Sequence, residues 1–213
     1  MNTELVEKFE SLLLSTKREG VEALLDMIRK SDFYTAPAST RFHGSYEGGL
    51  LEHTMNVYER AIEKFETQNT FWNRVCQDKG YKRENIIISA LLHDICKTYF
   101  YAVEFKNQKV YSENGSKQDV KGRFDWETVP CYVIDDKMPL GHGEKSVMLI
   151  EQYMKIETPE RYAIRWHMGA YEGKDNWNTL QQAQEKYPIS LLIHEADVEA
   201  SNIMEVESNN GKL

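Results

Sequence analysis

An apolar run interrupted only by Ser89, Ile86-Ile87-Ile88-Ser89-Ala90-Leu91-Leu92, ends without any spacer in His93-Asp94. A segment this apolar packs only as a buried element, and it takes an imidazole and a carboxylate into the interior with it. Both groups are costly to bury unless something pairs with them. The rest of the chain must therefore bring hydrogen-bond partners, opposite charges or a cation to this point. Adjacent residues on a helix point about 100° apart. His93 and Asp94 can thus serve one cation only at a helix end or across a groove. A carboxylate has two oxygens, so Asp94 can also be shared between two ions.

The remaining chain reads as mainly α-helical. Leu5, Phe9, Leu12 and Leu13 recur at helical spacing, as do Val21, Leu24, Leu25 and Ile28, with a break or kink at Gly20. Ser31 to Tyr46 reads as loop and carries His43. Leu50, His53, Val57, Ala61 and Phe65 share one stripe of the next helix, which puts His53 on the buried side. The glycine pair Gly48-Gly49 ahead of it permits close backbone approach. Thr67 to Gly80 reads as a polar connection, and Arg83 to Ile95 as a helix.

From Tyr99 to about Pro139 the character changes. Aromatic and β-branched residues around Asn107-Gln108 suit a hairpin, and Cys131 to Ile134 is a further strand. This predicts a small β-ribbon, 99–139, inserted in a helical domain. It carries Lys106, Lys109, Lys117, Lys121 and Arg123, either as a solvated hairpin or as a flap facing phosphate.

His142 stands between two glycines before an amphipathic helix. Thr158-Pro159-Glu160 gives an N-cap and a first-turn proline for the helix ending at His167. Tyr171 to Asn178 reads as loop. Pro188 opens the last helix, with Ile189, Leu192, Ile193, Ala196, Ala200 and Ile203 on its apolar stripe and Asp197 beside it. A carboxylate there needs a partner or a metal. His194 lies one turn earlier, on a neighbouring surface.

The bulk properties narrow the function. A length of 213 residues suffices for one well-buried domain. The expected division is a helical segment over 1–40, a main domain over 41–207 and a disordered tail over 208–213. A net charge of −8 argues against broad binding to nucleic-acid backbone, though not against a local phosphate site. No apolar run approaches the ~20 residues that span a bilayer. The three scattered cysteines read as reduced thiols, and the first residues lack a secretory pattern. The expected location is cytoplasmic.

Taken in order, His53, His93-Asp94, His142, His167 and Asp197 form the series His, His-Asp, His, His, Asp. With the words Gly49-Leu50-Leu51-Glu52-His53-Thr54 and Leu91-Leu92-His93-Asp94-Ile95, this resembles the HD-domain metal-dependent phosphohydrolase superfamily over about Gly44 to Ala200. Similar words occur in the HD domains of bacterial 3′–5′ exoribonucleases and in small stand-alone HD hydrolases. The resemblance implies a helical HD-domain bundle. It implies that His53, His93, Asp94 and Asp197 hold one ion, and that Asp94 bridges to a second held by His142 and His167. Lys97 matches a lysine that often follows the His-Asp pair and contacts substrate phosphate. Cys96 departs from the pattern, since glycine is common there.

The donor set agrees independently with two divalent ions of Mn, Fe, Co, Ni or Zn rather than Mg. Such a pair activates water for attack on phosphorus, with Lys97 and the ions offsetting charge on the phosphoryl oxygens. The expected activity is hydrolysis of a phosphomonoester or phosphodiester, with a small nucleotide as substrate and Asp94 and Lys97 in catalytic roles. Lys97, His43 and His194 are the candidates for substrate contact. Three further readings compete: a non-catalytic module that senses nucleotide or metal, a single-metal structural site for which His142 and His167 are dispensable, and a 3′–5′ exonuclease acting on short oligonucleotides.

Overall fold

The computed structural model describes residues 2–206, and the tail expected over 208–213 lies outside the described residues. The described chain is mainly α-helical with one small antiparallel sheet. Helices α1 (Thr3–Ser15) and α2 (Val21–Lys30) are separated where Gly20 adopts φ +88°, so of the expected break or kink it is a break that forms. Then come α3 (Gly49–Glu66), α4 (Phe71–Lys79) and α5 (Arg83–Leu92). The sheet comprises β1 (Tyr101–Tyr111), β2 (Lys117–Asp119) and β3 (Gly122–Ile134). The C-terminal half consists of α6 (His142–Glu151), α7 (Thr158–Trp166), α8 (Trp177–Lys186) and α9 (Ile189–Glu199), followed by a π-helical turn, Ala200–Met204.

Helix α5 is the central element. Every residue from Asn85 to Leu92 is buried, and it packs against α1, α3, α7 and α9. A helix that is apolar all round is stable only when surrounded in this way. Leu50, Val57, Ile87, Leu91, Ile164 and Ile193 meet in one continuous core. The helix termini that carry histidines therefore converge on one end of this core.

Four local expectations need correction. The stretch 67–80 is not merely a connection, because Phe71–Lys79 forms α4, N-capped by Thr70 Oγ1 accepting from Asn73 N at 3.2 Å. Only Trp72 and Cys76 of α4 are buried, too few to set up a visible apolar period. The hairpin does not turn at Asn107-Gln108. There Asn107 pairs with Thr128 in the middle of a long β1–β3 ladder, and the sheet order is β1-β3-β2. The N-cap of α7 is Glu157 rather than Thr158, with Glu160 Oε2 accepting from Glu157 N at 2.6 Å. The loop after Tyr171 is short: α8, not anticipated, begins at Trp177.

None of the described helices is long and apolar enough to cross a membrane.

Candidate functional site

The site begins where α5 stops. His93 keeps helical angles, φ −56° and ψ −38°, but Asp94 moves to φ −106° and ψ 16° before a 3₁₀ turn at Ile95–Lys97. Leaving the helix at this point brings the two side chains together, which an uninterrupted helix to Ile95 would not have done. The helix thus ends at Leu92, three residues earlier than the sequence suggests.

His93 Nδ1 donates to the Ala90 carbonyl at 2.8 Å. At the end of α7, His167 Nδ1 donates to the Ile164 carbonyl at 2.7 Å in the same way. A carbonyl only accepts, so Nδ1 carries a proton in each ring and Nε2 is the nitrogen left to face the cluster. Both Nε2 atoms are fully buried and have no hydrogen-bond partner among the described residues. Each lies 3.5 Å from an oxygen of Asp94. Two buried ring nitrogens without a hydrogen bond, set around a buried carboxylate, fit a cation held among them.

Asp94, 3% exposed, divides its oxygens between two sets of partners. Oδ1 lies 2.6 Å from His142 Nε2 and 3.5 Å from His167 Nε2. Oδ2 lies 3.5 Å from His93 Nε2, 3.6 Å from His53 Nε2 and 2.7 Å from Lys97 Nζ. His53 Nε2 is in turn 3.3 Å from Asp197 Oδ1, contributed by α9. Donor atoms of His53, His93 and Asp197 lie within 4.8 Å of one another. The same holds for His93, Asp94 and His167, and for Asp94, Cys96 and His142. All six residues singled out as metal ligands are therefore brought together, and their imidazole-rich, carboxylate-containing donor set fits late first-row divalent ions.

The electrostatics follow from this crowding. Burial pushes the Asp94 carboxyl up, but Lys97 and the surrounding imidazoles win and hold it well below the usual carboxylate range. Burial pushes His53 down, yet the Asp197 and Glu205 carboxylates raise it to about 10. His142 is likewise lowered by burial and raised by Cys96 and Asp94, to about 9.

Packing at the start of α3 seats His53. A Cβ on Gly49 would collide with the carbonyl oxygen of Gly44, so only glycine lets the 38–44 loop lie against the helix there. That loop brings the His43 ring to 4.9 Å from the His53 ring. Burial, followed by the neighbouring His53, lowers the His43 pKa.

A cavity of about 730 Å³ opens over this cluster and is lined by His43, His53, Asp94, Lys97, His142 and Asp197, among others. His194 does not line it. Its Nδ1 donates to the His167 carbonyl at 2.7 Å, which corrects its expected role as a substrate contact. Three residues before Asp197 on α9, it is rotated away towards the end of α7 and supports that turn instead. The ribbon cations Lys106, Lys109, Lys117, Lys121 and Arg123 also stay outside the cavity. Lys109 is paired with Asp119 at 2.6 Å, Lys117, Lys121 and Arg123 are exposed, as in a solvated hairpin, and the exposed Lys106 lines a separate hollow with Arg41.

One neighbour of the cluster was not identified from the sequence. Glu205, 2% exposed, accepts from His53 Nδ1 at 2.9 Å. The expected stripe placed Ile203 inward, but the π-helical turn adds a residue to the helical repeat and rotates the following side chains. Ile203 is consequently 65% exposed, and Glu205 turns inward. Cys96 Sγ lies 3.3 Å from His142 Nδ1, so the residue that breaks the resemblance is in contact with the cluster.

No protein-family profile matches the chain, and no solved structure matches it. A 66-residue stretch is 41% identical to the dihydroneopterin 2′,3′-cyclic phosphate phosphodiesterase of Methanocaldococcus jannaschii. That stretch is 31% of this chain and spans only 24% of the relative's length. The chain is thus similar, over part of its length, to a phosphodiesterase.

Proposed function

We propose that this protein is a metal-dependent phosphodiesterase of the HD-domain type, acting on a small nucleotide-like phosphate ester. The observation that carries this reading is the pair of buried Nε2 atoms of His93 and His167, without hydrogen-bond partners among the described residues, on either side of Asp94. The partial likeness to a cyclic phosphate phosphodiesterase supports the same reaction class.

In this scheme His53, His93, Asp94 and Asp197 hold one divalent ion, and Asp94, His142 and His167 hold a second. When bound, such ions supply Lewis acidity and make water a competent nucleophile at neutral pH. The chain's own residues do the rest. The two carbonyl bonds at Ala90 and Ile164 lock the imidazoles of His93 and His167 in the ligating tautomer. Lys97, with its side chain 12% exposed, lines the cavity beside Asp94. Burial pushes its pKa down, but Asp94 overcomes this and raises it, so the ammonium stays charged. It offsets charge that builds up on the phosphoryl oxygens. No serine or cysteine nucleophile is required.

The test combines elemental analysis of the purified protein with a panel of mono-, di-, tri- and 2′,3′-cyclic nucleotides under added Mn²⁺, Co²⁺ or Zn²⁺. Metal-dependent hydrolysis that disappears, together with the bound metal, in Asp94→Ala is the expected result. Binding without turnover by the metal-loaded protein would replace the enzyme with a sensor. A retained two-metal stoichiometry in Asp94→Ala would remove the shared-carboxylate arrangement.

A further inference from the structure

Beyond the ligand cluster, the cavity wall includes two large aromatic side chains, Phe42 and Tyr171, and the cation Arg41. Phe42 is 76% exposed and Tyr171 72% exposed. A lone exposed ring needs no explanation. Two rings on one cavity, each carried on a braced turn, do.

Phe42 N donates to Ser39 Oγ at 2.9 Å, and that hydroxyl donates to the His43 carbonyl at 2.8 Å, so the loop tip is tied down. Tyr171 closes a 3₁₀ turn that starts at Gly169, where φ is +52°. The His194 ring fills the space beside Gly169 that a Cβ would need, and its Nδ1 holds the His167 carbonyl. Beyond Tyr171, the neighbouring Glu172 pairs with Arg165 at 2.7 Å, and its carbonyl accepts from Trp177 Nε1 at 3.0 Å. The backbone beneath both rings is therefore held in place while the rings face water. Arg41 has no ion-pair partner among the described residues. The cavity volume, about 730 Å³, falls within the ~300–1,000 Å³ of small-ligand sites.

We infer that Phe42 and Tyr171 form a stacking subsite for the planar heterocycle of a nucleoside-type phosphate ester, with Arg41 next to them for its anionic or ribose portion. This rests on the reading of the cavity as a phosphodiesterase site. Aromatic faces bind flat heterocycles with little regard to their hydrogen-bonding pattern. The subsite consequently selects for the presence of a base rather than for its identity, and sugar phosphates lacking one are poor substrates.

The experiment compares 2′,3′-cyclic AMP with methyl riboside 2′,3′-cyclic phosphate, which lacks the base, using the Mn²⁺-loaded protein. Wild type is expected to favour the base-bearing ester by roughly tenfold or more in kcat/KM. In the Phe42→Ala/Tyr171→Ala variant the ratio falls towards one, while Tyr171→Phe keeps it. No preference in wild type, or a preference that survives in the double variant, overturns the subsite. If neither ester is hydrolysed, the phosphodiesterase reading fails by itself, and calorimetric binding of adenosine 2′-phosphate against methyl riboside 2-phosphate decides the subsite. Tighter binding of the adenosine compound by wild type but not by the double variant sustains it. Equal binding of the two by wild type, or binding of neither, overturns it.

Discussion

Glu205 Oε1 stands 2.9 Å from Nδ1 of His53, the imidazole whose other nitrogen lies 3.3 Å from Asp197. The carboxylate therefore orients the ring from behind and keeps Nε2 directed at the cluster. Asn56 Nδ2 donates to the same oxygen at 3.2 Å and fixes it in turn.

In the proposed scheme His53 holds a metal, and an imidazole held from behind in this way loses affinity for it when its support is removed. Glu205→Ala is expected to weaken metal binding by roughly 10–100-fold while leaving the helical fold intact. Chelator competition on the purified variant measures this. An affinity equal to wild type would show that Glu205 serves packing alone.

Lys97 contacts Asp94 but comes from the 3₁₀ turn and also faces the cavity. Lys97→Ala should retain the metal content of wild type and lose roughly 10²–10³ in kcat/KM, the loss typical of one group that stabilises developing charge. Steady-state kinetics with elemental analysis of the same sample separates the two effects. Unchanged kcat/KM takes Lys97 out of the reaction.

Far from the cluster, Arg18 fastens the N-terminal helices to α7 through Glu160, at 2.6 Å and 3.1 Å. Glu160 is 0% exposed, and burial raises its pKa even with these partners. Removing the guanidinium leaves a buried charge uncompensated, at a cost of about 3–5 kcal/mol. Arg18→Ala should lower the melting temperature by roughly 6–20 °C, read by calorimetry. Glu160→Gln in that background should recover part of the loss, because a neutral amide leaves no buried charge. A drop no larger than that of an exposed arginine would mean that water reaches Glu160.

In the ribbon, Lys109 at 2.6 Å, the Lys121 backbone amide at 2.9 Å and Tyr111 at 2.9 Å all donate to Asp119. Lys109, then the Lys121 amide, lowers the Asp119 carboxyl from 3.8 to about 2. The folded value lies below the unfolded one, so this contribution to stability is present above 3.8 and is lost as pH falls through about 2. Carboxyl NMR titration should give a midpoint near 2 in wild type and a higher one in Lys109→Met. A wild-type midpoint near 3.8 contradicts the pairing.

Much of the fold was legible because it depends on local periodicity. The stripe of Leu50, His53, Val57 and Ala61 fixed a helix and the inward side of His53, and the Ile86–Leu92 run fixed a buried centre. Helix α4 was not legible, since two buried residues on a polar segment leave no period to read. The ribbon was seen as β, but polar Asn107-Gln108 suggested a turn. In an exposed sheet polar residues sit mid-strand at little cost, and the ladder runs straight through.

The sequence by itself determined the helices with a clear apolar stripe and which of their ends carry imidazole or carboxylate, because helical spacing and the cost of burying polar groups act within a few residues. Only the tertiary structure decided which atoms face one another. It split the two oxygens of Asp94 between the His53–His93 and His142–His167 sides, and it turned His194 away to brace the end of α7. A single π-helical turn exchanged Ile203 for Glu205 behind His53. These outcomes depend on where helices stop and how they pack, distances set by the whole core rather than by any one segment.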